Sequence, residues 1–170
     1  MNLKPMSLNQ NSNNETRTSN TSNKTPSWIN PNPLSTQKLS FRMYKEHLDE
    51  AFEAVKKSSL PQEVIEYLTQ NNHLVPFEGV LLKAGFAIAP LDFELKGYAD
   101  AFGYVEYLGY EYVDKFLDAI APFVKAGSYI LVEGVLRDGY FEFHKWVFDG
   151  NTCECVLPSD KIIKRIAIYN

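Results

Sequence analysis

Hydrophobic and polar positions show no periodicity before about residue 38 and a clear one after it. Phe41, Tyr44, Leu48, Phe52 and Val55 recur at the spacing of one helical face, with Ala51 beside them. Lys45, Glu46, Asp49, Glu50, Glu53 and Lys56 fall mostly off that stripe. With Ser40 placed to accept a backbone N–H at the start, the pattern predicts an amphipathic helix over 41–57. A second helix is predicted over 61–71. Ser59 precedes Pro61 in the first turn, Gln62 sits in capping-box position, and Val64, Ile65 and Leu68 form a narrow apolar stripe. A helical pair this small needs a sheet to cover.

Residues 77–89 mix Val80, Leu81, Leu82, Phe86 and Ile88 with Gly79 and Gly85, and only Phe86-Ala87-Ile88, stopped by Pro90, suits a short strand. Leu91 to Leu108 lacks proline and is dense in aromatics, which predicts one long or two short strands. Alternation assigns Phe93, Leu95, Gly97, Ala99, Ala101, Gly103, Val105 and Tyr107 to the core. It sends Asp92, Glu94, Lys96, Tyr98, Asp100, Phe102, Tyr104 and Glu106 toward solvent or a partner.

Gly109 to Gly150 carries the clearest signals. Val113, Phe116, Leu117, Ile120, Phe123 and Val124 trace a stripe for a helix over 111–125. Pro122 predicts a kink, or closure near Ala121 with one further turn, because an interior proline costs about 3 kcal/mol. Ser128 to Leu136 and Tyr140 to Phe148 read as a hairpin closed by Arg137-Asp138-Gly139. A bulge at His144-Lys145 would bring Phe141, Phe143, Trp146 and Phe148 onto one face. Thr152 to Leu157 reads as a third strand, and 161–168 fits a helix or a strand equally. The fold class that follows is α+β: an antiparallel sheet of about four to six strands, packed on one side by the helices 41–57, 61–71 and 111–125.

Residues 1–38 are an Asn/Ser/Thr tract with scattered prolines. They offer too little apolar surface to offset the entropy of ordering, so a disordered tail is expected ahead of a single domain at 39–170. Trp28-Ile29 is its one apolar pair, able to dock on the domain or on a partner, or simply to stay solvated. Charge divides the same way. The first 40 residues hold four basic side chains against Glu15, leaving 13 basic and 20 acidic side chains to the rest, a net charge of −7. Phosphate backbones repel such a domain, which disfavours nucleic acid and leaves a basic or neutral protein as a compatible partner. No run of apolar residues resembles a signal peptide or membrane span, so a cytoplasmic location is expected.

Candidate chemistry is sparse. Cys153 and Cys155 read as reduced, half-buried thiols, because a disulfide at that spacing would strain the backbone. His47, His73 and His144 are not at metal-ligand spacings. Asp92, Glu94, Asp100 and Glu106 match no cation-binding loop and read as a solvated strand face. No phosphate loop or dinucleotide fingerprint is present, so neither a metal nor a cofactor is expected. His144 with Glu142, or with an acid of the 92–106 stretch, forms the one candidate acid–base pair. Tyr98, Phe102, Tyr104, Glu106, Tyr110 and Trp146 form a candidate partner-binding set, since Tyr and Trp anchor protein interfaces and flanking acids suit a basic partner. The expected function is binding of another protein in an inhibitor, immunity-type or adaptor role. A small enzyme or ligand-binding domain with a pocket between sheet and helices is the alternative, and a structural subunit a further one.

Overall fold

A computed structural model describes residues 25–31, 33–70, 76–135, 140–157 and 163–164. The expected tail up to residue 24, the turn at 137–139, and 161–168 apart from two residues lie outside these.

In chain order the elements are strand β1 (Ser35–Tyr44), helices α1 (Leu48–Lys56), α2 (Gln62–Thr69) and α3 (Pro76–Ala84), strand β2 (Phe86–Ile88), helix α4 (Asp92–Lys96), strand β3 (Tyr98–Tyr104) and helix α5 (Tyr110–Ile120). The strands β4 (Tyr129–Val135), β5 (Tyr140–Phe148), β6 (Cys153–Leu157) and the two-residue β7 (Ile163–Lys164) follow. The sheet is antiparallel, in the order β2-β3-β1-β4-β5-β6, with β7 beside β5. The α+β class and the one-sided packing of helices are therefore as the sequence predicts. Among the described residues no helix is long and apolar enough to cross a membrane.

Two local expectations are overturned, and one undecided stretch is resolved. The helix predicted from Phe41 begins only at Leu48, because Ser35–Tyr44 is the strand between β3 and β4. Leu39, Phe41 and Met43 also alternate with polar or larger partners, and pairing on both sides makes the two-residue period win over the helical one. The strand predicted from Leu91 is first the short helix α4, with Gly97 at φ +77 ending it before β3 starts. The undecided stretch 77–89 resolves into α3 followed by β2, the latter covering the predicted Phe86-Ala87-Ile88.

The N-terminal boundary also moves. Trp28 is 8% exposed, its ring 4.5 Å from that of Tyr67. Its carbonyl accepts the Gly109 N–H at 2.8 Å, the Asn30 N–H donates to Tyr107 at 2.7 Å, and the Glu106 N–H donates to Leu34 at 2.9 Å. Trp28, Asn30 and Leu34 are thus laced by their backbone to residues 106–109. The ordered domain reaches back past the predicted limit at residue 39.

Helix α5 matches its prediction closely. Val113, Phe116, Leu117 and Ile120 are all fully buried, and Pro122 sits in a 3-10 turn, Ala121–Phe123, after the helix has closed. Ile130 and Val132 of β4 and His144, Trp146 and Phe148 of β5 are buried on the inner sheet face, where His144 and Trp146 meet this helix through Tyr110 and Asp114.

Candidate functional site

A β-bulge decides which residues enter the interior. Ala87 pairs with Gly103 and Ile88 with Ala101, so β3 carries Phe102 as an extra residue against β2. Ala99 and Ala101 face inward as predicted, but the inward parity then shifts by one. Phe102 is left 73% exposed, whereas Tyr104 and, just beyond the strand, Glu106 are each 1% exposed. Thr36 clamps the shifted strand: its hydroxyl donates to the Tyr104 carbonyl at 2.5 Å and accepts the Tyr104 N–H.

No such shift occurs in β5. Its register with β4 is continuous from Tyr129↔Val147 to Val135↔Phe141, so the bulge predicted at His144-Lys145 is absent from this strand. The irregularity lies across from it on β6, where Trp146 pairs with Cys155 and Lys145 with Leu157. His144, Trp146 and Phe148 consequently share the inner face, and Phe143, Lys145 and Val147 point outward and stay half-buried.

Together these two strands assemble a buried polar network. His144 Nδ1 lies 2.9 Å from Glu106 Oε2, with side-chain exposures of 2% and 1%. With Glu106 ionised, the contact requires a proton on Nδ1. Asn30 Nδ2 donates to the other carboxylate oxygen at 3.5 Å. The imidazole is sandwiched: Tyr110 covers it at 4.9 Å between centroids, and Trp146 meets it edge-on at 5.4 Å. Trp146 Nε1 in turn donates to Asp114 Oδ1 of α5 at 2.7 Å. Tyr104 packs edge-on to Trp146, and among the described residues its buried hydroxyl has no hydrogen-bond partner. Burial, followed by the charges of Glu106, Asp114 and Cys153, holds that phenol well above its ordinary range.

Beside the network, a cleft of about 200 Å³ opens between α5 and β6, lined by Asp114, Asp118, Trp146, Cys153, Glu154 and Cys155. Both thiols are half-buried. Burial first, then nearby Asp118 and Asp114, push the Cys153 thiol far up, so it stays protonated and is a poor nucleophile. A larger hollow of about 370 Å³ lies by β1 and the 125–128 turn, where Arg42 forms a bidentate pair with Asp100, both contacts at 2.6 Å, and stacks 4.0 Å above the Tyr98 ring. The guanidinium holds the Asp100 carboxyl below its usual range.

The six residues predicted to bind a partner therefore do not form one surface. Phe102 and Tyr110 are exposed, Tyr98 is half-covered under Arg42, and Tyr104, Glu106 and Trp146 belong to the core. Of the predicted acid–base pair, His144 has its carboxylate, but the partner the structure supplies is Glu106; the Glu142 side chain lies outside the described residues. The sequence reading did not assign Asp114, Asn30 or the Tyr104 hydroxyl to this network. Only Asp114 carried a signal, as a polar residue beside the α5 stripe.

The outer sheet face has a different character. Tyr129 stands opposite Val147, Leu131 opposite Lys145 and Glu133 opposite Phe143, all half-buried, with the Lys145 ammonium 5.7 Å from the Tyr129 ring centre. Comparison with protein-family models, curated proteins and solved structures finds no match to this chain.

Proposed function

We propose that this protein acts by binding another protein through the face of its sheet that the described helices leave uncovered, in an inhibitor, immunity-type or adaptor role. The observation that carries this reading is the apolar character of that face. The helices cover the opposite side, while Tyr129, Leu131, Phe143 and Val147 stand half-exposed and Phe102 projects at 73% exposure from the β3 bulge. Rigid aromatic and aliphatic side chains on a backbone-paired surface bury area at little entropic expense, which suits them as anchors. The surplus of acidic groups in the chain, net −4, favours a partner of basic or neutral surface.

A second reading, a small enzyme or ligand-binding domain, draws on the 2.9 Å approach of His144 to Glu106. Its enclosure ranks it behind. At 2% and 1% exposure neither group can meet a substrate without displacement of Tyr110 or its neighbours.

The test is affinity capture from the native cell with three baits: wild type, Phe102→Ser/Leu131→Lys, and Leu82→Ser, a control at an exposed position on α3. A partner held by wild type and control but lost by the double variant supports the reading. The same partners on all three baits would sink it. Sedimentation of the purified protein identifies the case in which the partner is a second copy of the chain.

A further inference from the structure

Strand register fixes where the charges of the outer sheet face stand. Lys38 of β1 lies opposite Leu131 of β4, and Leu131 in turn opposite Lys145 of β5, so two lysines bracket one leucine in a row across three strands. With adjacent strands about 5 Å apart, the two lysine Cα atoms are about 10 Å from each other. In the next row Ser40, Tyr129, Val147 and Glu154 follow one another, and the Lys145 ammonium lies 5.7 Å from the Tyr129 ring centre. Beyond that row, Lys125 joins Arg42, Asp100 and the buried Ser128 in lining the hollow of about 370 Å³.

Three lysines of this face lack the carboxylate that lysines elsewhere hold. Lys45, Lys56 and Lys96 form ion pairs with Glu94, Glu53 and Asp92 at 3.2, 2.7 and 3.0 Å. Among the described residues, no acidic group comes within ion-pairing distance of Lys38, Lys125 or Lys145. Of the acids on the face, Asp100 is held by Arg42 through two contacts at 2.6 Å. Glu133 stands in the row on the far side of the lysines, and Glu154 at the β6 edge. The chain as a whole is acidic, at net −4. Charges farther away than a Debye length of about 8–10 Å are largely screened at physiological salt, so the contact itself is governed by charges within the face.

We propose that the segment bound by this face interleaves Asp or Glu side chains with apolar ones, on a partner protein of neutral overall charge; the inference rests on the sheet-face reading above. Its carboxylates meet Lys38, Lys145 and, at the hollow, Lys125, while its apolar groups cover Leu131, Tyr129 and Val147. Ion pairs formed where an apolar contact excludes water are stronger than the same pairs in open solvent. A nucleic acid fits less well. Its evenly spaced phosphates cannot avoid Glu133 and Glu154, whereas a peptide places a carboxylate only where a lysine stands.

Random peptides displayed on phage and selected on the immobilised full chain test this, with peptides from the enriched pool then titrated in solution. Enrichment of Asp and Glu over Lys and Arg, alongside apolar residues, is expected, with affinity falling as salt rises. Lys38→Glu/Lys145→Glu should weaken a selected peptide by about tenfold or more, because each new carboxylate faces another. Lys125→Glu, at an exposed position where the fold is not at risk, should weaken it in the same direction. Phe102→Ser/Leu131→Ser removes apolar anchors at unchanged charge. Peptides that bind this variant as they bind wild type, or no enrichment at all, would count against the sheet-face reading and this inference together. Peptides lost on it but rich in Lys and Arg, or unaffected by the lysine reversals, would overturn the acidic assignment and leave the sheet-face reading standing. Tighter binding of oligodeoxythymidine than of any selected peptide would overturn it in favour of a nucleic acid.

Discussion

Glu106 and His144, 38 residues apart in the chain, meet at 2.9 Å in an interior that leaves almost nothing of either side chain exposed. One comes from the turn after β3 and the other from the inner face of β5, so the contact ties the β3 half of the sheet to the β4–β6 half.

That contact predicts strong non-additivity. Removing one partner strands the other in a medium that solvates it poorly, and breaking a buried pair in this way typically costs about 3–5 kcal/mol. Glu106→Ala and His144→Ala should each lose that much in urea unfolding, and the double variant should lose much less than the sum. Glu106→Gln, which keeps a hydrogen-bonding group at the ring, should fall between. Additive losses across the cycle would mean that the two side chains act independently.

The bulge at Phe102 separates residues that alternation had grouped. Trp146→Ala should cost about 3–5 kcal/mol, as expected for a fully buried aromatic that also donates a hydrogen bond. Phe102→Ser should change stability by no more than about 0.5 kcal/mol, since its ring already meets solvent. Thermal melts of the two variants side by side check the pair of expectations, and a comparable loss in both would contradict the register described for β3.

Gly85 is the position where backbone geometry leaves least room. Its φ is +108, and a Cβ built there would lie 1.9 Å from the Val105 carbonyl oxygen, while the Val105 N–H donates to the Gly85 carbonyl at 2.9 Å. Gly85→Ala should cost about 1–3 kcal/mol from backbone strain alone, with the overlap adding to it. Gly97→Ala, also at positive φ but in open space, should suffer only the strain. Equal melting temperatures for the two would argue against the close approach.

Two carboxylates should give opposite dependences on pH. Asp149 accepts the Thr152 N–H at 2.7 Å and the Asn151 N–H at 2.8 Å, which hold it below its usual range. Its contribution is complete above the ordinary aspartate value of about 4 and is lost as pH falls through the lowered folded-state value. Glu78 is buried, and burial followed by the charges of Asp92 and Glu94 holds it above the usual range. It therefore destabilises the fold at neutral pH, and that penalty disappears as pH falls through its raised folded-state value. Urea midpoints across an acid series should show the wild-type advantage over Asp149→Asn shrinking below about pH 4. The same series should show Glu78→Gln more stable than wild type at neutral pH, with the gain fading on acidification. A constant gap between wild type and either variant would contradict these assignments.

Much of the frame was legible because the signals were local. The α5 stripe, its closure before Pro122, the two strands around residues 129 and 148, and the one-sided α+β packing all follow from spacings that neighbouring residues impose on one another. Phe41 to Tyr44 misled because its side chains satisfy a helical and a strand period together, and only pairing on both sides of β1 chooses between them. Trp28 was ambiguous because its docking depends on backbone bonds to residues 107 and 109, which no local pattern announces.

By itself, then, the sequence determined the class of fold, the best helix, the central hairpin and the excess of acid, since these depend on composition and short-range periodicity. The tertiary structure decided what Tyr104, Glu106 and Trp146 are for. One extra residue in β3 turned Tyr104 and Glu106 inward, and an unbroken register in β5 brought His144 and Trp146 to meet them. A strand's parity is set by how it pairs, so a single bulge moves a residue from surface to core without changing any local pattern around it.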